Sequence, residues 1–348
     1  MTAGKVTVVG SGSWGTVVTR LIAPHAREVV VWSFEPEVAA GINANHKNPH
    51  QMRDFTLAQN VRATTSFEEA LEGAEAVAIV VPSAFIRTTL RQLAPHLGRD
   101  VPVVVLTKGV ERETGCLMAD VAEQELANMD RIAVLSGPNH AEEISQGKVS
   151  AAVIAARDQA VAAYFQELLS CEEFRVYVSE DVVGVEVCAA VKNVIALACG
   201  IAVASGAGDN TLAVLMTRGL AEVSRIAVAL GADPLTCMGL AGMGDLVVTC
   251  ISHHSRNRSF GEAFARGESL ASYEHRTGMV VEGAEAAASV LTMAERHGIA
   301  VPITKAVYEL LYEGASYADV RGELLERLPN EEFYGVVPGA QPGSNTRD

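Results

Sequence analysis

Short runs of β-branched and other apolar residues recur along the first half of the chain, each followed by a stretch whose apolar positions repeat at helical spacing. The runs predict strands at Lys5–Val9, Glu28–Trp32, Ala76–Val81, Val101–Thr107, Arg131–Ser136 and Ala151–Ala155, with a further one near Phe174–Val178. Apolar runs alternating with helical segments are the pattern of a parallel sheet covered by helices on both faces. Around Ser179-Glu180-Asp181 the alternation stops, and helices are expected at Val182–Ser205, Asn210–Leu230, Ser259–Arg266, Val281–His297 and Ile303–Tyr312. The pattern therefore predicts an α/β doubly wound sheet over residues 1–181 and a mostly α-helical domain over 182–336. The last stretch, 337–348, is rich in Gly, Pro, Ser and Asn and is expected to be disordered.

One position breaks the pattern. The stretch from Val182 to Ala204 is almost wholly apolar and small-residued, yet Lys192 stands in its middle. Continued as a helix, the stretch places Cys188 and Ala189 one turn before the lysine and Ile195 and Ala196 one turn after, with no carboxylate on that face. Either the ammonium snorkels to solvent or another segment supplies an anion.

Length and composition narrow the classes. A chain of 348 residues exceeds the size at which one core keeps growing, so two domains are expected. The formal net charge is −15 and no run of more than two Lys or Arg occurs, which argues against nucleic acid or an anionic membrane as partner. Six cysteines without a CxxC, mostly inside apolar patterns, read as small hydrophobes in a reduced, cytoplasmic setting. No signal peptide precedes the first strand, and the uninterrupted apolar run Val194 to Ala204 is far short of the roughly 20 residues that span a bilayer, so no integral membrane segment is expected.

The chemistry is expected just beyond the carboxyl ends of the strands. Gly10-Ser11-Gly12-Ser13-Trp14-Gly15 follows the first strand and opens the helical segment Thr16–Ala23. Its glycines allow a tight turn and the close approach of a pyrophosphate, which then rests on the helix N-terminus. Glu35 lies 20 residues after Gly15, where an acid accepts from a ribose 2′-hydroxyl and repels a 2′-phosphate. Its bland alternative is a solvated loop carboxylate. Phe34 offers an adenine stack, and the absence of an arginine directly after the strand leans toward NAD, unless Arg53 or Arg62 folds in. Lys108, in Leu106-Thr107-Lys108-Gly109, is a cation on the same edge if the sheet is parallel, or a surface lysine in a turn. His140 is a loop or capping residue more readily than a base. His46 and His50 have metal-site spacing, but Pro49 between them spoils the helix such a site needs, and no metal is assigned. In the second half, Gly239 to Gly244 forms a second glycine-dense turn ending in Asp245, whose plainer role is a helix N-cap. Ser255-Arg256-Asn257-Arg258 offers an arginine fork, an amide and a hydroxyl suited to a phosphate.

Taken in order, these motifs resemble the NAD(P)-dependent glycerol-3-phosphate dehydrogenases of the bacterial soluble type. The resemblance rests on GSGSWGT (10–16), VPS (81–83), LTKG (106–109), SGPNHA (136–141), VKNVIALACG (191–200), TRGLAE (217–222), GMGDLVVTC (242–250), SRNR (255–258) and VVEG (280–283). It implies a Rossmann-type N-terminal domain, a helical substrate domain, a homodimer, and reversible reduction of dihydroxyacetone phosphate by NAD(P)H to sn-glycerol 3-phosphate for phospholipid synthesis. By the same resemblance Lys192 is the proton donor and acceptor, projecting into a cleft between the domains, Lys108 contacts cofactor and substrate, and Asp245 sits beside the catalytic lysine. Ser255, Arg256 and Asn257 match the phosphate site, Arg256 also reaching the cofactor. Gly137 and Asn139 match substrate positions, and Ser13, Trp14, Phe34, Ala141, Val280 and Glu282 match cofactor positions beside Gly10, Gly12 and Gly15. Two departures stand out. Asn139-His140 replaces a Ser/Thr-Phe or Thr-His pair, and Phe34 replaces a polar or basic residue, leaving the choice between NAD and NADP open. A 3-hydroxyacid-type dehydrogenase and a non-catalytic nicotinamide sensor are the competing readings. The Ser255–Arg258 cluster weighs against the first, and the set of Lys108, Lys192 and Asp245 against the second.

Overall fold

The computed structural model describes residues 2–326, 332 and 334–336, so the expected disorder of 337–348 lies outside the described residues. The chain forms two compact units. Residues 2–111 and 117–186 make the first; residues 112–116 join the chain from Val187 onward in the second.

The first unit is built on one sheet of eight strands: β1 (Ala3–Val9), β2 (Ala26–Trp32), β3 (Val61–Thr64), β4 (Ala76–Ile79), β5 (Val103–Val105), β6 (Ile132–Ser136), β7 (Ser150–Ala156) and β8 (Phe174–Ser179). Their order is β3-β2-β1-β4-β5-β6-β7-β8. The chain winds outward from β1 to β3 and then returns to lay β4 on the other side of β1, so the direction of winding reverses at the carboxyl end of β1. Helices cover both faces, which is why Val6, Val8, Val29, Val30, Val77 and Val104 are all fully buried and the strands read as continuous apolar runs. Two features depart from the expected sheet. The strand β3 went unforeseen because its four residues, Val-Arg-Ala-Thr, are too few to show a period, and Arg62 on this edge strand pairs with Glu28 and Glu69. The strand β7 runs antiparallel to β6, with Ala133 opposite Ala156, while every other pairing is parallel. A strand buried on both faces has the same composition in either direction.

The second unit is helical. The chain enters it within the helix Val182–Ala204, which spans 23 residues and is here called the lysine helix. Among the described residues this is the one helix long and apolar enough to cross a membrane, but 83% of its apolar window is buried inside the protein. Its apolar surface is already used in core contacts. The expected helices are present as Asp209–Ala229, Arg256–Ala265, Glu282–Arg296 and Pro302–Tyr308, the last continuing as a π-helical turn over Glu309–Glu313. Helix Arg256–Ala265 starts three residues before the expected Ser259, because the Ser255 side chain caps it by accepting from the Arg258 N–H. This helix and the lysine helix touch backbone to backbone. A Cβ added at Gly200 would lie 2.1 Å from the Arg258 carbonyl oxygen, and one at Gly261 would lie 2.2 Å from that of Leu197. Any larger residue at either position would force the helices apart.

Glu186 marks the end of the first unit. Its buried carboxylate accepts from the Ala119 N–H at 2.8 Å and from the Met118 backbone, at the open start of helix Met118–Leu126. Burial, with a smaller push from Asp120, raises its pKa to about 8 despite these bonds. The folded protein therefore holds this proton more tightly than the unfolded chain does. Glu186 contributes full stability below the ordinary carboxylate range and loses it as pH rises toward about 8. Between about pH 5 and pH 8, Tm is expected to fall, and Glu186→Gln, which keeps the acceptor oxygen without the charge, is expected to flatten that slope. An identical slope in the variant would clear Glu186 of the effect.

Candidate active site

At the carboxyl end of β1 the glycines are required by contact. Gly10 has φ 119°, and a Cβ there would lie 2.9 Å from the Val80 backbone; a Cβ at Gly15 would lie 2.1 Å from the Gly10 carbonyl oxygen. Gly12, by contrast, faces open space. It occupies the N-cap of helix Ser13–Ile22, with no side chain capping the helix and no acid in its first turn. The free N–H groups and the positive end of the helix dipole are therefore open to an anion, and the loop fits a dinucleotide's pyrophosphate. Beside it the indole of Trp14 packs edge-on against Phe174, with ring centroids 6.3 Å apart. Phe34 is 83% exposed and Glu35 half exposed just after β2. Arg53 is exposed, and Arg62 is held by Glu28 and Glu69 on β3, so it does not fold in beside Glu35.

The loops after β5 and β6 leave the same edge of the sheet. Lys108, after β5, donates from Nζ to the Oδ1 of Asn139 at 3.0 Å, so these two residues meet across neighbouring loops. The side chain of Asn139 is buried, and its Nδ2 has no partner among the described residues. Gly137, at φ 153°, sits so close to β7 that a Cβ would lie 2.7 Å from the Ala152 Cα. His140 precedes the short helix Ala141–Ser145 without capping it through its side chain, and Ala141 is buried at the helix start.

The second unit answers the question posed by Lys192. The ammonium is buried, and Asp245 Oδ1 lies 2.5 Å from its Nζ. The glycine-dense stretch is a π-helical turn, Leu240–Gly244, rather than an open turn, and Asp245 is the first residue of the helix Asp245–Ile251 that follows. Its carboxylate goes to Lys192 instead of serving as the N-cap. Thr249, one turn on, accepts from Lys192 Nζ at 3.0 Å and donates to the Asp245 backbone carbonyl at 2.5 Å. Sequence reasoning missed Thr249, although its i, i+4 spacing from Asp245 puts the two on one helix face. Buried thiols flank the pair: Cys188 Sγ lies 3.6 Å from Cys237 Sγ, and Cys199 hydrogen-bonds Cys250. That hydrogen bond, and then burial, hold the Cys250 thiol well above its ordinary range, so it is packing rather than a nucleophile.

The SRNR segment is arranged differently from the expected fork. Arg258 turns to Glu262 at 3.1 Å and to the Cys250 and Ile251 carbonyls. Ser255 is buried as the helix cap. Asn257, also expected at a phosphate, is buried with both ends of its amide engaged: Nδ2 donates to Asn193 Oδ1 at 2.9 Å, and Oδ1 accepts from the Gly283 N–H at 2.7 Å. Arg256 alone of the four presents its charge at the surface, where Glu282 Oε1 holds it at 3.1 Å. Glu282 also accepts from Asn193 Nδ2 at 3.4 Å, so Asn193, which the sequence reading did not single out, ties the arginine's partner to the residue beside Lys192. Val280 is half exposed just before this helix.

Comparison with known proteins places both units. Residues 5–162 match the family model for the NAD-dependent glycerol-3-phosphate dehydrogenase N-terminus, and residues 181–321 match that for the C-terminus. The chain is 46% identical over 329 residues to glycerol-3-phosphate dehydrogenase (NAD(P)+) of Streptomyces griseus, covering 94% of this chain and 98% of that one. It is 42% identical over 340 residues to the enzyme of the same name from Pelotomaculum thermopropionicum, covering 97% of each. Among solved structures, glycerol-3-phosphate dehydrogenase from Coxiella burnetii superposes with a TM-score of 0.89 at 32% identity, covering 93% of this chain and 99% of that one.

The buried ion pair sets a stability test of its own. Asp245→Ala leaves an ammonium without its counter-charge in an apolar core and is expected to lower the unfolding free energy by about 3–5 kcal/mol. Adding Lys192→Met to that variant is expected to recover most of the loss in urea unfolding. A double variant as unstable as the single one would mean that the charge is not what Asp245 offsets.

Proposed function

The chain belongs to the NAD-dependent glycerol-3-phosphate dehydrogenase family, and from that premise we propose that it reversibly reduces dihydroxyacetone phosphate to sn-glycerol 3-phosphate with Lys192 as proton donor and acceptor. The observation that carries this reading is the buried Lys192–Asp245 pair, 2.5 Å apart and braced by Thr249. A charge held in an apolar helix has a use where a proton must be moved.

The uncapped helix start after Gly12 would hold the pyrophosphate of NAD(P)H, which when bound would supply the hydride for the substrate's C2. Lys192 delivers a proton from Nζ to the C2 oxygen as it becomes an alkoxide, and takes it back in the reverse direction. Asp245 keeps the ammonium charged and aimed, while Thr249, accepting from Nζ, fixes the direction in which the donor points. We assign Lys108 to stabilising negative charge on the reacting oxygen and the free Nδ2 of Asn139 to donating to the substrate. Arg256 is assigned to the phosphate, with Glu282 setting its orientation and Asn257 anchoring the local backbone through Gly283. Binding energy from the phosphate then orients the carbonyl. A homodimer, a reducing cytoplasm and supply of glycerophospholipid synthesis complete the reading; the four buried thiols, of Cys188, Cys199, Cys237 and Cys250, support the compartment.

The decisive assay is NADH oxidation with dihydroxyacetone phosphate beside unphosphorylated dihydroxyacetone. Turnover is expected to depend on the phosphate, and equal rates with both would remove Arg256 from its role. Lys192→Ala is expected to abolish turnover while NADH fluorescence still reports cofactor binding. Turnover at the parental rate in that variant would overturn the assignment.

A further inference from the structure

His50, set aside as a metal ligand, stands at the rim of the glycine loop. Its place is fixed by Asn48, which is 1% exposed and links two segments. The Asn48 Nδ2 donates to the Ser11 carbonyl at 2.7 Å and to Thr16 Oγ1 at 3.0 Å, both in the glycine loop and the helix it opens. Its Oδ1 accepts from the N–H groups of His50 and Gln51, each at 3.0 Å. Gln51 closes the arrangement by accepting from Ser13 Oγ at 2.8 Å. The segment around residues 48–51 is thereby pinned beside the dinucleotide loop.

From that position the imidazole stands between two carboxylates. Its Nδ1 lies 3.7 Å from Glu35 Oε1 and its Nε2 lies 3.6 Å from Glu37 Oε2. Glu35 is itself oriented from below. Ser33 Oγ accepts from the Glu35 N–H at 3.2 Å and lies 2.7 Å from the Ser11 hydroxyl. Ser11, Ser33, Glu35 and His50 therefore form one polar rim, and Glu35 on it is the acid placed for the ribose 2′-hydroxyl.

We propose that His50 is a specificity-determining residue for the cofactor, setting the charge at the ribose 2′ position so that a 2′-phosphorylated dinucleotide is accepted beside the unphosphorylated one. The inference rests on the dinucleotide-binding part of the function proposed above. Without His50 the rim presents Glu35 and Glu37 together, and two carboxylates repel a 2′-phosphate dianion. Standing between the two carboxylates, His50 as an imidazolium cancels one of their two charges and offers the phosphate a cation. Glu35 continues to accept from the 2′-hydroxyl of NADH, so the residue acts on the choice between cofactors.

The test titrates the full-length protein with NADH and NADPH by nucleotide fluorescence and compares the ratio of their Kd values across variants. In His50→Gln, titrated at a pH below the ordinary imidazole range where the imidazolium is the main form, the preference for NADPH over NADH is expected to fall about tenfold, the size Coulomb attraction to a dianion a few ångströms away gives near a solvated surface. In His50→Lys and in Glu35→Gln it is expected to rise. If His50 merely supported the loop, both Kd values would weaken together and the ratio would stay constant, and that result overturns the proposal. Because binding is read without turnover, failure of the dehydrogenase assignment would leave this ratio measurable and would not be mistaken for failure at His50.

Discussion

An ammonium inside an apolar helix is tolerated only where something offsets its lost hydration, and most of the second unit is arranged to meet that condition. Lys192 is held by one carboxylate and one hydroxyl, both from the helix Asp245–Ile251. Desolvation of such a pair costs several kcal/mol per ion, and the attraction returns that cost only with good geometry and satisfied remaining hydrogen bonds. Thr249 supplies the second requirement by bridging Nζ and the Asp245 backbone carbonyl. A hydrophobic pair would fill the same space more cheaply. That a charged pair stands there is the physical reason to look for chemistry at this point.

The surrounding helices reach the lysine helix by giving up side chains. Gly200 and Gly261 let the helix that begins at Arg256 lie directly against it, and Gly283 comes within reach of the Asn193 carbonyl in the same way. Backbone contact of this kind puts Arg256, Asn257 and Glu282 around the residue next to Lys192. Asn193, accepting from Asn257 and donating to Glu282, then gives the surface arginine a fixed relation to the buried lysine. The first unit follows a similar economy at Gly10 and Gly15, where close packing of the loop leaves the first helical N–H groups facing open space.

How much of this was legible depended on range. The glycine loop could be read because its strand, turn and helix are contiguous in the chain, although the Val80 backbone that requires Gly10 lies far off in sequence. Lys192 announced itself as an exception within its own helix, and the need for an anion from elsewhere followed from charge alone. The identity of the anion rested on resemblance, since nothing local distinguishes Asp245 opening a helix from Asp245 capping one. The SRNR segment was legible as a cluster but not in its internal partners. Four polar residues in a row read as a phosphate site, but the partners that orient them, Asn193, Glu262 and Glu282, come from other turns and segments and are set by tertiary contacts. The strand β3 and the antiparallel course of β7 were hidden for a related reason: strand pairing and direction are properties of the sheet, which a short run of residues does not encode.

The face of the lysine helix also carries a registration mark. Cys188, Lys192 and Cys199 lie along one side, and they meet Cys237, Asp245 with Thr249, and Cys250 in the same sequence. Thiol, ion pair and thiol act like three teeth of unequal shape. A slip of one helical turn would set either the ammonium against the Cys237 thiol or the carboxylate against the Cys188 thiol, and either way both charges would lose their partner. The contacts thus oppose sliding between these segments. Adaptation of the protein to heat or to a new substrate must then come from changes made outside this interface, or from paired changes across it.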